Sequence, residues 1–198
     1  MQIAAVVLAA GRSSRFKDGN KLVATINGTP LVHRVLTAVA ASLVKDIVLV
    51  VAPEAHGVIE AAGTGRWRTI INDQTENDLA SSLRAGIAAL PKTTDGALVV
   101  LADMPGVSTE LINRVIDTFA KRGGGVIVHP VDSTGRQGHP VLWPKRLFPE
   151  LLALEGDAGG KTLLQKHKAI SRPVPVSGAD AFLDIDTQAD LAHLKGER

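Results

Sequence analysis

VVLAAGRSSRFKDGNK, residues 6–21, runs from an apolar β-rich segment into a glycine-bearing loop with two arginines and a closing lysine. A strand through Val6, Val7 and Leu8 delivers Gly11 to a sheet edge, where a residue without Cβ lets backbone N–H groups face anionic oxygens. Arg12, Arg15 and Lys21 add full positive charges, so the design suits a triphosphate; it equally suits a βα turn whose basic residues are merely solvated. Two other glycine motifs are absent. A Walker A loop needs Gly-Lys followed by Ser or Thr, and the dinucleotide fingerprint needs three glycines where residues 9–14 hold one.

Working outward, 198 residues suit one domain that buries roughly 70% of its unfolded surface. The expected division is a single domain over 1–198. No apolar run approaches the roughly 18 residues of a membrane helix, and the first eight residues lack a charged leader, which predicts a cytoplasmic protein without a membrane partner. The absence of cysteine removes disulfides, thiolate catalysis and zinc–thiolate sites. A net charge of +2, with four Phe and two Trp and no basic run, argues against nucleic acid as a partner.

Short β-rich runs at 3–8, 47–51, 67–71, 97–101 and 126–129 alternate with helical patterns. Leu31, Val35, Leu36 and Val39 form one apolar face, with Pro30 in the first turn. Leu79, Leu83, Ile87 and Leu90 form a second, and Ser108 caps a third that carries Leu111, Ile112, Val115, Ile116 and Phe119. This alternation predicts a mostly parallel sheet covered on both faces. A late strand is expected within 135–143, short helices at 145–154 and 160–168, and a final strand at 183–185.

In such sheets ligands gather beyond the carboxyl ends of the strands. Asn72 and Asp73 follow one strand, and Asn77 or Asp78 can cap the next helix, whose Ser81, Ser82 and Arg84 stand near its positive end. Their alternative role is capping and solvation. Asp103, in LADMP directly after a strand, is placed to hold Mg²⁺ against phosphates or to accept backbone N–H bonds in a turn. Asp184 and Asp186 share one side of the last apolar run and can complete a metal site with Asp103, or Asp186 or Thr187 can cap a helix. Gly138, His139 and Pro140 mark either an acceptor contact or a rigid turn, as does the loop from Gly156 through Asp157 to Lys161.

LAAGRSSRF…NK, NDLASSLRAGI, LADMP, GRQGHPVLW, GDAGGKTLL and DIDTQADL, in this order, resemble the MobA-like nucleotidyltransferases, closest to the molybdenum cofactor cytidylyltransferases. The resemblance implies a Rossmann-like, GT-A type α/β fold in three layers. It also implies NMP transfer from an NTP to the terminal phosphate of a molybdopterin-type acceptor, with Mg²⁺ as cofactor and pyrophosphate released. A molybdenum hydroxylase is the partner enzyme such a product implies. Leu8, Ala9, Ala10, Gly11, Arg12, Arg15 and Lys21 match nucleotide-binding positions, and Asn72, Ser81 and Ser82 match positions near the nucleoside. Lys21, Asp103 and Arg15 match catalytic positions, Asp103 and Asp186 the metal ligands, and Gly138, His139 and Asp157 the acceptor side. Ala10, in LAAG rather than LAGG, favours CTP. GTP, a sugar-phosphate acceptor, or a non-catalytic cofactor-binding accessory role are the alternatives. The chain departs from the pattern in a loop one residue longer before Lys21 and in Asn77-Asp78 where a glycine is usual.

Overall fold

A computed structural model describes residues 1–11, 16, 19–74, 78–156, 160–177 and 182–195. Strand β1 (Ile3–Ala9) is buried at every position. It lies between β4 (Asp46–Val51) and β6 (Gly96–Leu101), parallel to both, with Val7 opposite Leu49 on one side and Val100 on the other. Strand β5 (Arg68–Ile71) extends the parallel set beyond β4. Beyond β6, β8 (Val141–Pro144) is antiparallel to both its neighbours, β6 and β7 (Ile127–Val131), and β9 (Ser171–Pro175) is parallel to β7. Among the described residues this makes one seven-stranded sheet of order β5-β4-β1-β6-β8-β7-β9, mostly parallel as the alternating pattern predicts.

Two-residue alternation feeds a core on each face. Ala5, Val7 and Ala9 point into one, covered by α1 (Leu31–Ala40), α2 (His56–Ala62) and α4 (Thr109–Lys121). Val6 and Leu8 point into the other, under α3 (Leu79–Ala88), α5 (Phe148–Leu152) and α6 (Lys161–Lys166). A third cluster joins Phe16, Ile26, Leu31, Ile185 and Leu191. It packs the opening loop, the small hairpin of β2 (Thr25–Ile26) and β3 (Thr29–Pro30), and the last helix α7 (Gln188–Lys195) on one another. No helix among the described residues is long and apolar enough to cross a membrane.

Both expected caps form. The Asp78 carboxylate accepts from the Ser81 N–H at 2.6 Å, and the Ser108 hydroxyl accepts from the Leu111 N–H at 3.2 Å. Other expectations need correction. The segment 183–185 is not a strand: the Ile185 N–H bonds the Asp103 carbonyl at 3.0 Å, but the N–H groups of Asp186 and Thr187 turn to the Asp190 carboxylate instead of a neighbouring strand. The sheet is completed by β9, which Pro173 and Pro175 disguise; an edge strand tolerates prolines because one side of its backbone needs no partner. The late strand is confined to β8, with a single bridge at Gln137 before it. Strand β5 is an edge as well, leaving Ile71 58% exposed.

Helix α3 approaches the sheet at Gly86. A methyl group there would lie 2.2 Å from Val6 Cγ1 and 3.1 Å from Val50 Cγ2. Gly86→Ala is therefore expected to lose about 1–3 kcal/mol by overpacking, read as a lower urea midpoint at unchanged slope. At the start of α7 the Asp190 carboxylate accepts from the N–H groups of Asp186 (3.1 Å) and Thr187 (2.8 Å), while the Thr187 hydroxyl accepts from the Asp190 N–H at 3.2 Å. This is a reciprocal cap. Asp190→Ala is expected to cost about 1 kcal/mol at neutral pH. The Thr187 hydroxyl, bonded to the carboxylate, holds the Asp190 carboxyl below its ordinary 3.8, so its stabilisation is complete above that value and is lost as the pH falls through the lower folded value. The stability gap between wild type and Asp190→Ala should close in acid titrations below pH 3.8.

Candidate active site

Because β1, β4 and β6 are parallel, Ala9, Val51 and Leu101 end along one edge of the sheet. Antiparallel β8 starts at the same edge, with Val141 opposite Val99. Residues that leave this edge are brought together however far apart they stand in sequence. Leu8, Ala9 and Ala10 have buried side chains, and Gly11 is exposed, with nothing among the described residues within 4 Å of where its Cβ would stand. At Gly11, where it leaves β1, the chain therefore presents backbone on an open side. The turn after β6 is held against β1 by the Ala102 N–H, which bonds the Leu8 carbonyl at 3.0 Å, and Met104 anchors it from below.

That turn carries Asp103 to the ammonium of Lys21, at 2.7 Å from Oδ2. The same ammonium lies 2.8 Å from Asp186 Oδ1. Lys21 is only 9% exposed and opens a short 3-10 turn, Lys21–Val23, in which the Asn20 side chain accepts from the Leu22 N–H at 3.0 Å. Burial works against its charge, but Asp103 and Asp186 together outweigh that and hold the ammonium above its ordinary 10.5. Asp186 reaches the site because the Ile185 N–H bonds the Asp103 carbonyl and the Thr187–Asp190 cap turns the chain away just beyond it. Asp184 is exposed, and Thr187, not Asp186, accepts within the cap.

The carboxylate pair suits a hard cation. Asp103 Oδ1 is buried and has no hydrogen-bond partner among the described residues, which is the chemistry of an oxygen awaiting a ligand. No group of three His, Asp or Glu is placed to hold a metal among the described residues. A metal there would take its remaining positions from phosphate and water, which is how Mg²⁺ is commonly held.

Beside the carboxylates opens a cavity of 370 Å³ lined by Leu8, Leu79, Leu83, Trp143 and Leu164, with His139 and Lys161 among the polar lining residues. Gly138 also lines it. A methyl on Gly138 would strike the buried Phe182 ring at 2.5 Å, so this glycine seats the chain that leads to Asp186. Burial lowers the His139 imidazole below its ordinary 6.5 despite the nearby Asp103 and Asp184 carboxylates; it is neutral at pH 7, with Nδ1 3.3 Å from the Val99 carbonyl. Gly160 stands against Trp143, where an added Cβ would be 2.9 Å from the indole.

Asn72, Ser81 and Ser82 form a buried cluster under the start of α3. The Asn72 amide donates to Ser81 Oγ at 2.9 Å and Ser82 Oγ at 3.1 Å, and both hydroxyls donate to the Asp78 carbonyl. The Arg84 guanidinium bonds the Leu154 carbonyl and Gln74 Oε1. Arg12, Arg15, Asn77 and Asp157 lie outside the described residues. Leu79, expected on a buried face, is 41% exposed and forms a wall of the cavity. Trp143 and Lys161 stand in the GRQGHPVLW and GDAGGKTLL motifs, though neither motif by itself assigns them to a cavity wall, and Phe182 carries no sequence sign of its role.

Residues 5–170 match the MobA-like NTP transferase domain. The chain is 26% identical over 196 residues to nicotine blue oxidoreductase of Paenarthrobacter nicotinovorans, covering 97% of this chain and 96% of that protein. It is 30% identical over 203 residues to 2-C-methyl-D-erythritol 4-phosphate cytidylyltransferase of Streptomyces avermitilis, covering 98% and 80%. Among solved structures, Rv0371c of Mycobacterium tuberculosis superposes with a TM-score of 0.87 at 27% identity, over 100% of this chain and 98% of that one. The same protein in complex with manganese gives 0.83 at 26%, over the whole of both chains. A family match over five-sixths of the sequence, on the fold and edge architecture described above, shows that the chain belongs to the MobA-like NTP transferase family and is a nucleotidyltransferase.

Proposed function

We propose that the chain transfers CMP from CTP to the terminal phosphate of a molybdopterin-type acceptor, releasing pyrophosphate. The observation that carries this reading is the convergence of Lys21, Asp103 and Asp186 beside an apolar cavity at the carboxyl edge of the sheet. The choice of CTP rests on Ala10 in LAAG and is supported by the likeness to a cytidylyltransferase.

In this reading the backbone from Leu8 to Gly11 cradles the nucleotide phosphates, with Arg12 and Arg15 adding charge. Asn72, Ser81 and Ser82 border the nucleoside; tied to one another, they shape its pocket rigidly. Asp103 and Asp186 would hold Mg²⁺, whose charge would neutralise phosphoryl oxygens. Gly138, His139 and Asp157 are assigned to the acceptor, and neutral His139 takes part in hydrogen bonding without adding charge. An acceptor phosphate oxygen attacks the α-phosphorus in line; the new P–O bond forms as the bond to pyrophosphate breaks, and the leaving group carries off the electron pair. Lys21 stabilises the charge on the transferring group. A phosphate monoester is largely ionised near neutral pH, so no general base is required. Residues 1–105 thus serve the nucleotide and 106–198 chiefly the acceptor.

The test is incubation with each NTP, Mg²⁺ and molybdopterin, following pyrophosphate. CTP turnover that depends on molybdopterin is expected; turnover with a sugar phosphate or GTP, or binding without turnover, would replace this reading with the corresponding alternative. Asp103→Ala is expected to lower turnover by roughly 10²–10³, the scale of losing one preorganised electrostatic group. A folded Asp103→Ala protein with near-wild-type pyrophosphate release would overturn the assignment of Asp103.

A further inference from the structure

We propose that Lys21 is a tethered placeholder for the divalent cation: without nucleotide its ammonium occupies the position between Asp103 and Asp186, and metal takes both carboxylates only after nucleotide phosphates draw the ammonium away. This rests on the reading of Asp103 and Asp186 as the metal pair.

The two contacts, 2.7 and 2.8 Å, are charge-assisted hydrogen bonds at full strength, and one ammonium makes both. A divalent ion bound to the same two carboxylates would sit against that ammonium, and like charges at contact in a partly buried site repel strongly. One of the two cations must leave.

Lys21 is built to be the one that moves. Its backbone is fixed by the Asn20 cap and by the Val23 N–H bond to the Asn20 carbonyl at 3.1 Å, and the neighbouring Leu22 is buried in the core. The charge, however, sits at the end of a flexible four-carbon stem. Its departure therefore needs rotamer changes and no rearrangement of the fold. The carboxylates differ in the same sense: the Asp103 side chain is 21% exposed and that of Asp186 is 37% exposed, so water reaches the Asp186 side of the clasp.

The clasp also leaves Asp103 incompletely satisfied. The ammonium serves Asp103 Oδ2, while Asp103 Oδ1 stays buried without a partner among the described residues. A placeholder of one charge holds the two carboxylates in position without using all the binding capacity of Asp103. Triphosphate is a more highly charged competitor for the ammonium, so its arrival frees the carboxylates and brings further oxygen ligands in the same event. Metal loading thereby becomes dependent on nucleotide.

The experiment is titration of the ligand-free full chain with Mn²⁺ alone, counting free Mn²⁺ by electron paramagnetic resonance, for wild type, Lys21→Met and Lys21→Gln. Each is repeated with Asp103→Asn added, and folding is verified by circular dichroism. Wild type is expected to bind weakly, and removal of the ammonium to tighten Mn²⁺ binding by about tenfold or more. Adding Asp103→Asn should abolish the gain. Binding by both lysine variants no tighter than by wild type, still weakened by Asp103→Asn, would overturn the placeholder and leave the metal pair standing. Binding that Asp103→Asn leaves untouched in every background would overturn the metal pair, and the placeholder with it.

Discussion

Burial of β1 on both faces is the constraint from which the rest follows. A strand flanked by parallel neighbours and covered by helices above and below has no solvent-facing side, so every residue from Ile3 to Ala9 is apolar and buried. The chain can turn polar only where it leaves the sheet. In a parallel sheet the strands reach that point at the same edge, and there the backbone of the opening loop, the Asp103 turn and the start of β8 are gathered.

The ion clasp converts that gathering into a defined site. It joins positions 21, 103 and 186, the first and last of them 165 residues apart. Partly buried pairs of this kind contribute modestly to stability, because desolvation offsets much of the attraction; their value here is positional. The supports are apolar and hydrogen-bonded: Phe16, Ile185 and Leu191 pack together, the Ile185 N–H bonds the Asp103 carbonyl, and the Thr187–Asp190 cap ends the segment. These hold the carboxylates through contacts that do not involve the lysine side chain.

Elements with strong periodicity were legible. The faces of α1 and α4 and the central strands β1, β4 and β6 follow from residue pattern, since burial on one or both faces imposes it. The errors have separate physical causes. Prolines concealed β9 because an edge position excuses them, and the apolar run at 183–185 read as a strand because a packed extended segment and a paired strand have the same composition. Helix α2, seven residues long, is too short for periodicity to declare it. Leu79 fits a buried stripe by spacing, yet at the first turn of α3 it has passed the sheet edge and faces the cavity.

By itself, the order of motifs determined the fold class, the family and the polarity of the site, because a buried parallel sheet leaves chemistry only at its carboxyl edge. It also singled out Lys21, Asp103 and Asp186. Only the tertiary structure decided that one ammonium joins both carboxylates, that Ser81 and Ser82 are bonded to Asn72 and Asp78 beneath α3, and that Trp143, Leu79 and Lys161 surround the neighbouring cavity. These are contacts between segments distant in sequence, set by how strands of opposite direction meet at one edge, and no local pattern of residues encodes them.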